Sequence, residues 1–242
     1  MKRKAVCLIS DGLDSPIATF LIERSGVEVV GLNFDNKPMV KPSKKKKQQK
    51  EGTVTAIKEE EKSIISISPI RNIAQALVNS FQNQSSFELY VVPNGKDLEK
   101  IVIESKDPKI NCILCKRLML KKAEVLARNI NADYIVTGEI LGEQASQTIE
   151  NLRTIESVLS EKKLIRPNIG LNKEEVIQLS REIGAYKFSE IAAKYTCAAV
   201  PIKPATQAHL DRIVTAEKYL ISDKMIDTSL QKANKFVLKK NK

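Results

Sequence analysis

The sequence predicts an α/β protein built on a doubly wound, mostly parallel sheet. Apolar runs of strand length stand at 5–9, 27–34, 87–92 and 133–137, and stretches of helical periodicity lie between them. A short polar turn containing glycine, Ser10-Asp11-Gly12-Leu13-Asp14-Ser15, joins the first strand to the first helix. Strands alternating with helices pair in parallel through crossover connections, with helices on both faces of the sheet.

The elements follow in order. Residues 5–9 read as a strand, 15–24 as a helix, and 27–34, after Gly26, as a second strand reached by a right-handed crossover. From 36 to 62 the pattern dissolves into Pro, Lys, Gln and Glu, the composition of a flexible insertion, and 64–68 is expected to resume the sheet. A helix at 70–83, an alternating strand at 87–92 and a short helix at 98–105 follow. The stretch 115–130 has the periodicity of a long amphipathic helix ended by Asn131, before the strand at 133–137. Asn172 with Glu175 three residues on is a capping box, opening a helix that Gly184 ends. Closing helices are expected at 204–220 and 228–238, so that 1–205 forms the main domain and 206–242 a helical, Lys-rich extension.

At 242 residues the chain can bury a large core, which excludes disorder of the whole. Its net charge of +11 is concentrated in Lys41, Lys44, Lys45, Lys46, Lys47 and Lys50, and in Lys232, Lys235, Lys239, Lys240 and Lys242. The remainder is balanced. The two runs can grip a polyanion such as RNA or can be solvated segments. No apolar stretch has the length of a membrane span, so a soluble, cytoplasmic protein is expected. Four cysteines, two of them Cys-x-x-Cys, in an intracellular chain point to metal or redox chemistry before a disulfide framework.

A turn between a strand end and a helix N-terminus offers backbone N–H groups and the positive dipole end to a phosphate, and Ser10 and Ser15 add hydroxyls. An ordinary turn, with Asp14 capping the helix and Pro16 in its first turn, uses the same residues. The segment resembles the S-G-G-x-D-S loop of PP-loop ATP pyrophosphatases, which cut ATP between the α- and β-phosphates and cradle the pyrophosphate. Asp11 stands where that family usually has Gly. Asp tolerates left-handed backbone, and its carboxylate is expected to face away from the phosphates or to help hold Mg²⁺.

Further motifs follow in the order Asn111-Cys112-Ile113-Leu114-Cys115-Lys116-Arg117, then Thr137-Gly138-Glu139-Ile140-Leu141-Gly142-Glu143-Gln144-Ala145-Ser146-Gln147-Thr148, Arg166-Pro167, Gly170-Leu171-Asn172-Lys173, and Tyr195-Thr196-Cys197. With the loop, they closely resemble the catalytic domain of the ThiI family, the tRNA 4-thiouridine synthetases, over about residues 4–205. The resemblance implies ATP contacts at Leu8, Ile9, Ser10, Asp11, Gly12, Asp14, Ser15, Asn33, Phe34, Lys116, Gly138 and Gln147, with Asp14 and Ser15 also catalytic. Asn33 and Phe34 would meet the adenine, Gly138 would let the nucleotide approach the backbone, and Lys116 or Arg117 would neutralise charge at the phosphoryl centre.

Cys112 and Cys115 can reach one metal centre, with Cys197 as a third thiolate, whereas Cys7 lies in the apolar first strand as a buried thiol. Three thiolates on a [4Fe-4S] cluster leave one iron open to hold sulfide, an arrangement that archaeal ThiI members resemble. A three-Cys zinc site and persulfide chemistry are the alternatives, and His209 reads as a lone surface residue. The implied activity is ATP-dependent tRNA sulfur transfer: a uridine carbonyl oxygen is adenylated, pyrophosphate leaves, and sulfur from sulfide or a cysteine desulfurase replaces the oxygen. A small-molecule sulfurtransferase, an amide ligase, or a non-catalytic nucleotide-binding partner with a structural metal are rivals on the same fold. Family members carry an N-terminal THUMP domain that binds tRNA, and some a rhodanese domain. This sequence opens at its first strand and has no rhodanese-like stretch, so either tRNA binding falls to a partner subunit, a homodimer or the lysine runs, or the substrate is not tRNA.

Overall fold

The computed structural model describes residues 2–43 and 69–241. Its strands are β1 (Lys4–Leu8), β2 (Glu28–Asp35), β3 (Val40–Pro42), β4 (Ser86–Pro93), β5 (Tyr134–Val136), β6 (Lys163–Ile165), β7 (Tyr195–Cys197) and β8 (Asn234–Lys239). The helices are α1 (Asp14–Arg24), α2 (Pro69–Ser80), α3 (Gly95–Glu104), α4 (Asn111–Asn129), α5 (Ile149–Glu156), α6 (Lys173–Glu182), α7 (Tyr186–Ala192), α8 (Leu210–Leu220) and α9 (Asp223–Gln231). The main sheet runs β6-β5-β1-β2-β4-β8, parallel throughout except where β8 pairs antiparallel with β4. The α/β doubly wound expectation is met.

β1 shows why both faces must be covered. Ala5 and Cys7, and Ile9 just beyond the strand, join one core with α1 and α2, while Val6 points into the other, built largely on α4. A strand buried on both sides has no room for a polar face. In β2, Gly31 is required by the opposite wall, because a Cβ there would lie 2.7 Å from the Phe87 ring. Asn131 at φ 52 and Gly184 at φ 72 end α4 and α6 in left-handed conformations, and the capping box of Asn172 and Glu175 opens α6.

Several boundaries differ from expectation. α4 starts at Asn111, so both Cys112 and Cys115 sit on its first turns. α8 begins only at Leu210, after a non-helical stretch that follows Pro204. The helix expected at 228–238 is instead the end of α9 followed by β8, where Phe236 and Leu238, two residues apart, pack on the core between lysines. That period of two is a strand signal that the lysine content obscured. Residues 206–242 thus contribute a strand to the main sheet, with Lys235 paired to Glu88 at 2.8 Å and Lys240 donating to Phe81 O. A second sheet of β3 and β7, not foreseen, sets Val40 opposite Cys197. The strand expected at 64–68, the lysines from Lys44 to Lys50 and most of the proposed insertion lie outside the described residues.

Candidate nucleotide and thiol site

At the C-terminal ends of β1, β2 and β5, where ligands of open α/β sheets sit, a cavity of about 310 Å³ opens. Its wall includes Leu8, Ile9, Ser10, Gly12, Asp14, Ser15, Asn33, Phe34, Lys116, Gly138 and Gln147. All the positions expected to contact nucleotide are therefore brought together except Asp11. Thr137, Glu139, Gln144, Asn36, Met119, Leu120 and Ile155 complete the wall and were not singled out from sequence for this role.

The loop is tied by its own serines. Ser10 N donates to Ser15 Oγ at 2.8 Å, the two hydroxyls lie 3.0 Å apart, and Gly12 N donates to Ser10 Oγ at 3.3 Å. Asp14 does not cap α1: the cap position is Leu13, and no side chain caps it. The first turn of this 11-residue helix therefore has no side-chain cap for its amides. Asp14 is held from outside instead. Lys173 reaches its Oδ1 at 3.1 Å and Glu143 at 2.6 Å, while Asn168 Nδ2 donates to the Asp14 carbonyl at 2.7 Å. Burial raises the Asp14 carboxyl above its usual range, against the opposing pull of Lys173. Lys173 was quoted within a motif but given no role; its salt bridges required the fold.

Asp11 lies off the cavity wall. One of its oxygens is buried without a hydrogen-bond partner, and burial pushes its carboxyl up to about 6, with Lys37 opposing and Asp35 adding to the shift.

Gly138 has a packing reason beside the role expected of it. A Cβ at that position would lie 2.5 Å from Ser15 Cα and 2.6 Å from Ser15 N, so the absence of a side chain is required by the backbone of α1, and Gly138 also lies in the cavity wall. Next to it Glu139, 8% exposed, sits 3.4 Å from Lys116 Nζ and 3.4 Å from Arg166 Nε. Burial opposes its ionisation, but Lys116, Thr137 and Arg166 together hold its carboxyl below the usual range. Lys116 is thus a cation on the wall. Arg117 is not: it is buried and bound to Glu217 at 2.5 Å and to Thr154 O, pinning α4 to α8 and α5.

Cys112 and Cys115 lie one turn apart on α4, and Cys197 comes in on β7. All three are free thiols. Burial pushes Cys115 up to about 12, and the nearby Cys197 and Cys112 add to this, against Lys122 and Lys116. Cys112 is raised by burial and then by Cys197. The three are within electrostatic reach of one another, yet among the described residues no group of three or more His, Cys, Asp or Glu is gathered to hold a metal ion. In the placement described, they do not form a cluster site. Cys7, fully buried and pushed up to about 12, is inert packing, as expected. No helix among the described residues is long and apolar enough to cross a membrane.

Comparison with known proteins adds an independent finding. The family model described as "Thiamine biosynthesis protein (ThiI)" matches residues 1–65 and 53–221. A probable tRNA sulfurtransferase of Methanocaldococcus jannaschii is 34% identical over 213 residues, 87% of this chain and 48% of that protein. One from Methanosarcina mazei is 31% identical over 230 residues, 95% of this chain and 50% of that protein. The chain spans about half the length of these curated relatives. The crystal structure of a 4-thiouridine synthetase–RNA complex with bound ATP superposes with a TM-score of 0.80 at 27% identity, covering 98% of this chain and 55% of that one. The NMN synthetase of Francisella tularensis, at 14% identity and a TM-score of 0.51, shares the fold.

Proposed function

From the premise that the chain belongs to the ThiI family, we propose that it binds ATP in this cavity and transfers AMP to a carbonyl oxygen of a uridine in tRNA, so that sulfur can replace that oxygen. The observation that supports this most is the convergence of the loop, Asn33, Phe34, Lys116, Gly138 and Gln147 on one cavity, whose Lys116 is within electrostatic reach of Cys112 and Cys115. A uracil oxygen is a poor leaving group, and adenylation makes it AMP. In the proposed step the carbonyl oxygen attacks the α-phosphorus, a new O–P bond forms, and the bond to the β-phosphate oxygen breaks. Pyrophosphate leaves toward the amides of α1 and the Ser10 and Ser15 hydroxyls, and Lys116 offsets charge at the transferring phosphoryl group.

Mg²⁺ fits the wall by its donor set, since Asp14 is a carboxylate beside the phosphate loop and phosphate oxygens supply the rest. It would supply charge neutralisation. The sulfur, from sulfide or a cysteine desulfurase, is handled by Cys112, Cys115 and Cys197. A [4Fe-4S] cluster on these thiols has the soft donors it needs but requires them to close around one point. Iron and acid-labile sulfide analysis of anaerobically purified protein tests that form. The RNA is held by a partner subunit, a second copy or the lysine runs, and the reaction belongs in the cytoplasm.

The test incubates the protein with ATP, Mg²⁺ and tRNA. AMP and pyrophosphate are expected, and Asp14→Ala or Ser15→Ala should abolish both without loss of fold. ADP and phosphate from the wild type would refute the reading.

A further inference from the structure

Beneath the cavity runs a line of buried polar side chains that the proposed chemistry does not use. Lys122 on α4 is 0% exposed, and its Nζ donates to Asn94 Oδ1 at 2.8 Å and to Asp97 Oδ2 at 2.6 Å. Asn94, 1% exposed, donates from Nδ2 to Asn36 Oδ1 at 2.7 Å, and Asn36 is part of the cavity wall beside Phe34. At the far end Ser229 on α9 donates to Asp97 Oδ2 at 2.6 Å.

The direction of these bonds is fixed by chemistry. An ammonium has donors and no acceptor, so it can face the oxygen of the Asn94 amide and not its nitrogen. The Asn94 nitrogen is then turned to Asn36, which must answer with its oxygen. With Oδ1 turned to Asn94 and left with one lone pair, the group of Asn36 that is wholly unengaged among the described residues is its Nδ2, a donor. Without Lys122, either amide could turn over, and the wall at Asn36 would present donor or acceptor indifferently.

We propose that Lys122, through Asn94, is a positioning residue that sets Asn36 as a hydrogen-bond donor, and that Asn36 thereby selects a base with an acceptor nitrogen on its edge, adenine over guanine. This rests on the reading of the cavity as a nucleotide site. Adenine N1 is an acceptor, whereas guanine carries N1–H there, and two donors facing each other in a partly desolvated wall lose a bond and strand two polar groups. A site built around a hydrogen bond rejects the analogue lacking its counterpart far better than an apolar pocket rejects a change of size.

The experiment measures Kd for ATP, GTP and 1-deaza-ATP, which lacks the N1 acceptor, by titration calorimetry on the wild type, Asn36→Asp and Lys122→Met. Expected for the wild type is ATP tighter than either analogue by about tenfold or more. Asn36→Asp, which replaces the donor by an acceptor at a half-buried position, should bring the ATP to GTP ratio to about one or below. Lys122→Met should narrow the same ratio at unchanged contact residues, a change that general loosening of the fold would not single out. A Lys122→Met ratio equal to that of the wild type overturns the positioning role, and should Lys122→Met not fold, Asn94→Leu, which breaks the same line of bonds, takes its place. ATP bound by the wild type, with a ratio in Asn36→Asp within twofold of it, overturns this proposal and leaves the ATP site standing. A wild type that binds neither nucleotide overturns both.

Discussion

Replacing Gly138 by Ala probes the contact on which the phosphate loop depends. The added methyl carbon would stand 2.5 Å from Ser15 Cα, 2.6 Å from Ser15 N and 2.8 Å from the Asp14 carbonyl carbon, all backbone atoms. No rotamer change relieves the clash, so the first turn of α1 must retreat by about 1 Å to reach an ordinary contact distance. Overpacking of this kind costs about 1–3 kcal/mol. In a chain of this size each kcal/mol lowers Tm by roughly 2–4 °C. The functional loss is expected to be larger, because a displacement of about 1 Å at a positioning element costs on the order of 10²-fold in rate. Thermal melts and pyrophosphate release with tRNA measure the two effects. Gly142→Ala is the control: its φ of +76 brings local strain, but no atom stands within 4 Å of the new carbon. A Gly138→Ala protein with unchanged Tm and a pyrophosphate rate within twofold of wild type would refute the packing argument.

Asp11→Asn should stabilise the protein at neutral pH. The Asp11 carboxyl is raised from 3.8 to about 6, so its ionised form costs stability: nothing below pH 3.8, rising between there and 6, and at most about 3 kcal/mol above. Urea melts at pH 4 and pH 8 should show a gain only at the higher pH, and equal gains at both would sink the assignment. Arg117→Met leaves buried Glu217 with Lys121 alone and should cost about 3 kcal/mol with ATP affinity unchanged, whereas Lys116→Ala should weaken ATP binding with little change in Tm. Cys112, Cys115 and Cys197 changed singly to Ala should each lose thiolated product while pyrophosphate release persists, and Cys7→Ala should keep both; thiolation surviving in Cys197→Ala would remove that residue from the sulfur path.

Much of the parallel layer was legible because it depends on local signals: apolar runs, the capping box at Asn172, the turn at residues 10–15. The cavity wall was legible through motif resemblance, since neighbours such as Asn33 and Gln147 are far apart in sequence. What stayed hidden was orientation. Lys116 and Arg117 are adjacent cations on one helix, and about 100° of rotation sends one to the cavity and the other into the core. Asp11 reads as part of the loop, but it is absent from the cavity wall and buries one carboxylate oxygen without a partner. β8 was mistaken because its lysines match the charge pattern of a solvated helix, and its pairing partner β4 lies about 150 positions earlier, beyond any local window.

The lysines of β8 also bear on solubility. β4 is a mostly apolar strand whose outer row of backbone groups, were β8 missing, would be open to any extended chain that approached, the usual route to edge-to-edge aggregation. β8 closes that row and is the border among the described residues, and along its six residues Lys235 and Lys239 stand out as the charged posts that discourage further strand addition. The ThiI family model stops at residue 221, before this strand. A protein trimmed to that span would keep every residue of the cavity wall and yet expose a sticky border, so a shortened protein carrying this cavity should run through at least Lys239.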